Sequence, residues 1–249
     1  MNKNVSIAIT TALVMNCGIV NAQEATNIGK HNITLSKNVM TPETLWAMGR
    51  IGNAQASPDG NKIVYQVGYY SVKENRGHQV ICVMDSDGKN VRQLTTSAKS
   101  EVSPTWLDDH TIAFLLDGQI WSMNSDGSYR KKLSSSDIEI EGFRFSPDRK
   151  KVLLIKSIPY YGTIKKNPSD LPKASGRLIT DMNYRHWDHY VETIAHPFVA
   201  EVTANGISKN DVDIIEGEPY ESPLAPFGGI EQFDWSKDSK QIAYTCRKK

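Results

Sequence analysis

The sequence has 249 residues, of which 39% are hydrophobic and 23% are charged, and its formal net charge is +1. This composition is typical of a soluble globular protein and argues against a disordered chain. Because no run of Lys and Arg exceeds three residues, the sequence offers no electrostatic basis for binding nucleic acid or an anionic membrane surface.

The first residues have the features of a cleaved export signal. A basic start is followed by residues 5–20, which carry no charge, and the small residue Ala22 precedes Gln23. The pattern predicts a signal peptide at 1–22 and an exported protein, periplasmic or secreted, with no membrane attachment after the signal is removed. A lipoprotein alternative would acylate Cys17, but the two residues before it are larger than such a site prefers.

Residues 23–49 are predicted to be a linker that ends in one short helix. Thr41 can cap the helix, and Pro42 suits its first position. Glu43 would then lie at the positive end of the helix dipole. Only strand patterns follow this helix.

A tight-turn unit occurs four times after residue 50. Its clearest copy is Ser57-Pro58-Asp59-Gly60, in which Pro, Asp and Gly suit the second, third and fourth positions of a type I turn. An apolar run follows each turn and indicates a buried strand. The other copies begin at Leu107, Ser146 and Ser236.

The repeat predicts an all-β protein, a partial β-propeller of about three and a half four-stranded blades. The incomplete propeller spans 50–249, and the third of its blades contains a long insertion at 157–195. The predicted blades are 50–96, 101–134, 140–217 and a truncated 229–249. Since a propeller buries its open sheet faces by closing into a ring, we expect further blades to be supplied by a longer protein.

Long connections point to one face of this propeller. Consecutive strands alternate in direction, so the connections at 70–78 and 157–195 should leave the same face. Binding residues concentrate on long loops that a rigid scaffold holds in place. We therefore expect ligand contacts on that face.

The insertion carries the candidate substrate-binding residues, which combine aromatic rings with charges. They are Tyr184, Arg185, His186, Trp187, Asp188 and Tyr190. Arg185 suits a carboxylate or a carbonyl group, and Asp188 suits an ammonium group. In a structural alternative, Trp187 and Tyr190 anchor the insertion on the blade while Arg185 and Asp188 pair locally.

Neither a metal site nor a catalytic residue is predicted. His186, His189, Glu192 and His196 are residue types that bind zinc, but their spacing matches no catalytic helix pattern, and no cofactor is expected. The segment 206–210 comes nearest to a Gly-x-Ser-x-Gly elbow and lacks its second glycine.

The chain resembles the N-terminal β-propeller of the prolyl oligopeptidase family of serine peptidases, in particular its secreted bacterial dipeptidyl-peptidase and acylaminoacyl-peptidase-like branch. The resemblance implies a propeller that admits short peptides to a C-terminal α/β-hydrolase domain, whose Ser-Asp-His triad lies outside this chain. This chain alone would then be inactive. The matching segments are 40–45, 57–60, 75–77, 184–190, 226–229 and 233–236.

Other functions remain open at this point. The Ser-Pro-Asp-Gly turn also occurs in periplasmic propellers of the TolB type, which would make the chain a non-enzymatic scaffold for protein partners. A truncated product without activity is a third alternative. The sequence also leaves open whether the protein forms a homo-oligomer.

Overall fold

The computed structural model describes residues 28–33, 39–160, 164–165, 171–180, 182 and 184–248. The predicted signal peptide lies outside these residues. Where the structure describes the chain, it is all-β apart from one helix and a single turn of 3-10 helix at Ile230–Gln232. No helix in these ranges is long and apolar enough to cross a membrane.

The helix, α1 (Pro42–Ala47), begins where the sequence predicts. The backbone amide of Thr44 donates to the Thr41 hydroxyl at 3.2 Å, which caps the first turn. The backbone is extended again at Met48. None of the six helical residues is buried, so α1 rests on the surface of the sheet that follows it.

Three antiparallel sheets of four strands follow, and each forms a blade. Blade one contains β1 (Arg50–Ala56), β2 (Lys62–Ser71), β3 (Arg76–Asp85) and β4 (Arg92–Gln93). Blade two contains β5 (Glu101–Trp106), β6 (Thr111–Leu116), β7 (Gln119–Asn124) and β8 (Lys131–Lys132). The fourth strand of each of these two blades has only two residues.

Blade three is interrupted by the insertion. It starts with β9 (Gly142–Phe145) and β10 (Lys151–Pro159), and the insertion then adds two small hairpins. These are β11 (Ile164–Lys165) with β12 (Leu178–Ile179), and β13 (Arg185–His186) with β14 (His189–Tyr190). The blade is completed by β15 (Thr193–Thr203) and β16 (Gly206–Asp213), and a two-stranded unit follows with β17 (Phe233–Trp235) and β18 (Ile242–Tyr244).

Two connections are shorter than the sequence suggests. The expected long connection at 70–78 is wrong, because β2 and β3 stay paired as far as Ser71 and Arg76 and leave a turn of four residues. Asn75 closes this turn with a φ of +47°. In blade three, β10 and β15 pair as far as Pro159 and Thr193, so the strands reach into the predicted insertion.

Each blade buries side chains on both of its faces. Because consecutive strand residues point in opposite directions, Ile112 and Phe114 of β6 pack against blade one, whereas Ala113 and Leu115 pack against blade three. The opposite face of blade three packs Leu153 and Ile155 against Phe233 of β17. This stacking of consecutive sheets confirms an all-β partial propeller with one short helix and an insertion in its third blade.

Hydrogen bonds between neighbouring blades define one face of the propeller, here called the turn face. The turns that follow the first strand of each blade contact one another in sequence. The three contacts are Asp59 N to Asp109 Oδ1 at 2.9 Å, Arg149 Nη2 to Trp106 O at 3.1 Å, and Asp148 N to Ser239 Oγ at 3.0 Å. The β2–β3 turn and the insertion lie at the other end of the strands, on what we call the loop face.

Candidate functional site

The candidate residues of the insertion meet in one tight hairpin. Arg185 pairs with Tyr190, and His186 pairs with His189. Trp187 and Asp188 form the turn, and Trp187 adopts a φ of +48°, a left-handed conformation that is uncommon for a bulky residue. The structure therefore brings all six candidate residues into a single loop-face element.

The hairpin is attached to blade three through its last residues. The Val191 amide donates to the Tyr184 carbonyl at 2.9 Å, and the Tyr160 amide donates to the Glu192 carbonyl at 2.8 Å. The side chains of Val191 and Ile194 are buried. These aliphatic residues supply the anchor that the structural alternative assigned to aromatic ones.

The Trp187 ring stands in solvent and touches another exposed aromatic residue. Trp187 is 71% exposed and Phe227 is 81% exposed, and their ring centroids lie 5.2 Å apart in an edge-to-face arrangement. Exposed pairs of large apolar side chains are characteristic of binding surfaces. Sequence reasoning missed the role of Phe227, although an aromatic residue between Pro226 and Gly228 was a usable signal.

Arg185 and Asp188 both have local partners, but their charged groups do not form an ion pair with each other. An Nη2 N–H group of Arg185 donates to the backbone carbonyl of Asp188 over 3.4 Å, a long contact. The Asp188 carboxylate instead accepts a hydrogen bond from His189 Nδ1 at 3.0 Å and is 93% exposed. This bond, with a smaller contribution from its own backbone amide, holds the pKa of Asp188 below the ordinary 3.8, so the carboxylate is ionised at neutral pH.

Tyr190 forms the side wall of the hairpin. The guanidinium carbons of Arg177 and Arg185 lie 4.2 and 5.6 Å from its ring centroid, and the Tyr184 ring lies 6.1 Å away. Arg177 also forms an ion pair with Glu192 at 3.0 Å. Nothing in the sequence pattern pointed to Arg177, because strand β12 and the chain around it separate it from the hairpin.

The residue types suited to zinc do not converge. His196 is buried in blade three, where its Nδ1 lies 2.8 Å from Asp213 Oδ2, whereas His186 and His189 belong to the exposed hairpin. In the described ranges, no group of three or more His, Cys, Asp or Glu side chains could hold a metal ion. The segment 206–210 forms the start of β16 and contains an irregularity, because the pairing with β15 shifts register between Ile207 and Asp211.

The hairpin has the chemistry of a binding surface. It combines an ionised carboxylate, a guanidinium whose only described hydrogen bond is long, and an exposed aromatic pair. A carboxylate can bind an ammonium group, a guanidinium can donate to a carbonyl or carboxylate, and aromatic rings can cover an apolar side chain. These are the three chemical features of a short peptide.

No family model matches the chain. The chain is 40% identical to dipeptidyl-peptidase 5 of Porphyromonas gingivalis, over all of this chain and 36% of that protein. It is 36% identical to dipeptidyl-peptidase 5 of Porphyromonas endodontalis, over 87% of this chain and 32% of the relative. The chain thus spans roughly a third of the length of these curated relatives. A solved acylaminoacyl peptidase of Pyrococcus horikoshii matches with a TM-score of 0.49 and 11% identity, over 69% of this chain and 26% of that one.

Proposed function

From the confirmed resemblance to the propeller of the prolyl oligopeptidase family, we propose that this chain is the substrate-gating part of an exported serine peptidase that acts on short peptides. The reaction is of the dipeptidyl- or acylaminoacyl-peptidase kind. It takes place at a Ser-Asp-His triad in an α/β-hydrolase domain that partners this propeller. The relatives named dipeptidyl-peptidase 5 support a peptidase-related role.

The observation that carries the proposal is the loop-face hairpin, whose charged residues Arg185 and Asp188 are exposed and do not form an ion pair with each other. Asp188 contacts the ammonium group of an entering peptide, and Arg185 donates to one of its carbonyl groups. The Trp187–Phe227 pair covers an apolar side chain of the same peptide. All three groups are already exposed on an ordered element, so the peptide can reach them without unfolding the scaffold.

The affinity expected of the hairpin for a peptide is weak, as suits a site that substrate contacts on its way to the catalytic domain. An exposed ionic contact contributes about 0.2–1 kcal/mol, and burying one apolar side chain contributes about 1.5–3 kcal/mol. Together these contributions come to about 2–4 kcal/mol, and the upper end of that range corresponds to millimolar binding. Such a peptide arrives, is oriented and leaves again quickly.

Binding is tested with a fluorescent tetrapeptide that has a free amino end, using anisotropy on the full chain. We expect Asp188→Asn to weaken binding about two- to fivefold, the loss of one exposed ionic contact. Asp87→Asn, which removes an exposed carboxylate from a β3–β4 turn on the turn face, is the matched control and should leave binding unchanged. Equal affinity of the two variants, or no binding by the unaltered chain, would contradict the proposal.

The location of the chemistry is tested separately. The purified chain should not turn over chromogenic dipeptidyl or acyl-aminoacyl substrates, because its partner domain supplies the triad. If the purified chain still turns over these substrates, and if hairpin variants retain that turnover, the catalytic residues lie within this chain. That result would refute the proposal that the catalytic triad lies in the partner domain.

Export is tested by expressing the full chain in a bacterial host and sequencing the amino end of the product. We expect the exported form to begin at Gln23. An uncleaved product retained in the cytoplasm would count against export.

A further inference from the structure

A second concave surface lies on the loop face, between α1 and the β2–β3 turn. Its volume is about 480 Å³, within the range of about 300–1,000 Å³ typical of small-molecule sites. Its lining includes Pro42, Glu43, Trp46, Tyr70, Val72 and Lys73. We call this surface the helix groove.

The aromatic wall of the helix groove is held in place before any ligand arrives. The Trp46 and Tyr70 rings meet edge to face with centroids 5.7 Å apart. The Arg50 guanidinium carbon lies 5.1 Å from the Trp46 centroid and 4.3 Å from the Tyr70 centroid, and such cation–π contacts restrict both rings. The His31 ring donates from Nε2 to the Tyr70 carbonyl at 2.9 Å.

This wall is nevertheless open to solvent. Trp46 remains 44% exposed, and Val72 at the opposite side of the groove is exposed as well. Large apolar side chains that are fixed but uncovered indicate a surface made to receive an apolar group. Since the groove is far smaller than a folded domain, its ligand is a small molecule or a short peptide.

The groove also carries one negative and one positive side chain. Neither Glu43 nor Lys73 forms an ion pair with any residue in the described part of the chain. Hydrogen bonds from its own backbone amide and from Thr41 hold the pKa of Glu43 below its ordinary value. A carboxylate and an ammonium group that line one groove complement a zwitterion.

We propose that the helix groove is a second binding site for a short peptide with a free amino end and an apolar side chain. Glu43 contacts the peptide's ammonium group, and Lys73 contacts its terminal carboxylate. The Trp46 and Tyr70 rings cover the apolar side chain. The ligand class rests on the proposed function, whereas the site shares no residue with the hairpin.

The test is a nuclear magnetic resonance titration of the full, nitrogen-15-labelled chain with the tripeptide Ala-Leu-Ala. The chain contains five tryptophans, so Trp46→Phe and Trp187→Phe assign the indole signals of the groove and the hairpin. We expect the tripeptide to shift the Trp46 signal. N-acetylation of the peptide and Glu43→Gln should each weaken this response about two- to fivefold.

Glu74→Gln is the matched control, because Glu74 belongs to the same four-residue turn but does not line the groove. It should leave the response of Trp46 unchanged. The indole signals of Trp106 and Trp235, whose N–H groups donate to backbone carbonyls of neighbouring blades, report whether each variant is folded.

The two sites can fail independently in this titration. If the Trp187 signal responds in a way that depends on Asp188 and the Trp46 signal does not respond, the helix groove is not a peptide site. The proposed function would then still hold. A response of Trp46 alone would support the groove and contradict the hairpin. Equal binding of the acetylated peptide, or equal behaviour of Glu43→Gln and Glu74→Gln, would also overturn the groove.

Discussion

The two faces of this propeller use polar side chains in opposite ways. On the turn face, a serine donates to the aspartate two residues later in three of the four repeats, at 2.5, 2.7 and 2.6 Å. On the loop face, the carboxylates of Glu43 and Asp188 form no ion pair with a Lys or Arg side chain among the described residues. The comparison teaches that the polar side chains of the turn face join the blades, while the loop face, which also contains the Arg177–Glu192 ion pair, leaves these two carboxylates available for a ligand.

The polar side chains of the turn face form their hydrogen bonds with other groups of the protein. In blade three, the buried Ser146 hydroxyl donates to Asp148 and accepts from the Lys151 amide at 3.0 Å. The Asp148 amide in turn donates to Ser239 of the next repeat. A buried polar group left without partners would cost about 1–3 kcal/mol, so these turns stabilise the stack of blades.

The largest expected difference comes from removing a tryptophan on each face. Trp106 is 4% exposed and donates from Nε1 to the Gln55 carbonyl at 3.1 Å, so Trp106→Ala should lower the free energy of unfolding by about 3–5 kcal/mol. Trp187→Ala removes an exposed ring and should change it by less than about 0.5 kcal/mol. Urea unfolding measures the free energy of unfolding of both variants. Similar decreases in the two variants would contradict the proposed difference between the faces.

A serine in a turn on each face gives a smaller contrast. Ser146→Ala should cost about 1–2 kcal/mol, because it leaves the Lys151 amide without its partner inside the protein. On the loop face, Ser71 accepts from the Glu74 amide at 3.2 Å, and water can replace that bond. We expect Ser71→Ala to cost about 0.5 kcal/mol. A larger loss from Ser71→Ala in the same urea assay would reverse the assignment.

The pH dependence of stability should show the smallest contrast. The Ser146 hydroxyl, followed by the Lys150 amide, holds the pKa of Asp148 below its ordinary 3.8, and Asp59 and Asp238 are lowered in the same way. A carboxyl with a lower pKa in the folded state contributes stability that is present above its unfolded pKa. That stability is lost as the pH falls through the folded value.

Acid titration of the urea midpoint from about pH 5 to about pH 3 checks this expectation. Stability should fall across that range, and Ser146→Ala should flatten the fall by removing the main cause of the Asp148 shift. Ser71→Ala, which removes a hydroxyl that accepts from the Glu74 backbone amide and not from a carboxyl group, is the loop-face control and should leave the slope nearly unchanged. A flat profile, or equal effects of the two variants, would contradict the account.

Local signals explain what the sequence could predict. Thr41 and Pro42 act within one helical turn, so α1 was predictable from neighbours alone. The repeated serine and aspartate act within four residues, and they marked the turns that begin at Ser57, Ser146 and Ser236. Because apolar strands precede and follow the insertion, blade three could be predicted to close around it.

Other features depend on contacts that no local pattern encodes. The mostly polar segment 72–75 looks like part of a long loop, but backbone pairing continues up to it on both sides. The Trp187–Phe227 contact joins segments 40 residues apart in the sequence. The helix groove likewise requires Trp46 and Tyr70 to meet across α1 and β2, which only tertiary packing brings about.

Mapping the backbone amide shifts caused by a short peptide with a free amino end would test the separation of the two faces most directly. We predict that the shifts concentrate on residues 184–190 and on the lining of the helix groove. The turns at Ser57–Gly60 and Ser146–Arg149 should not respond. Shifts centred on those turns, or none anywhere at millimolar peptide, would contradict a loop face built to receive peptides.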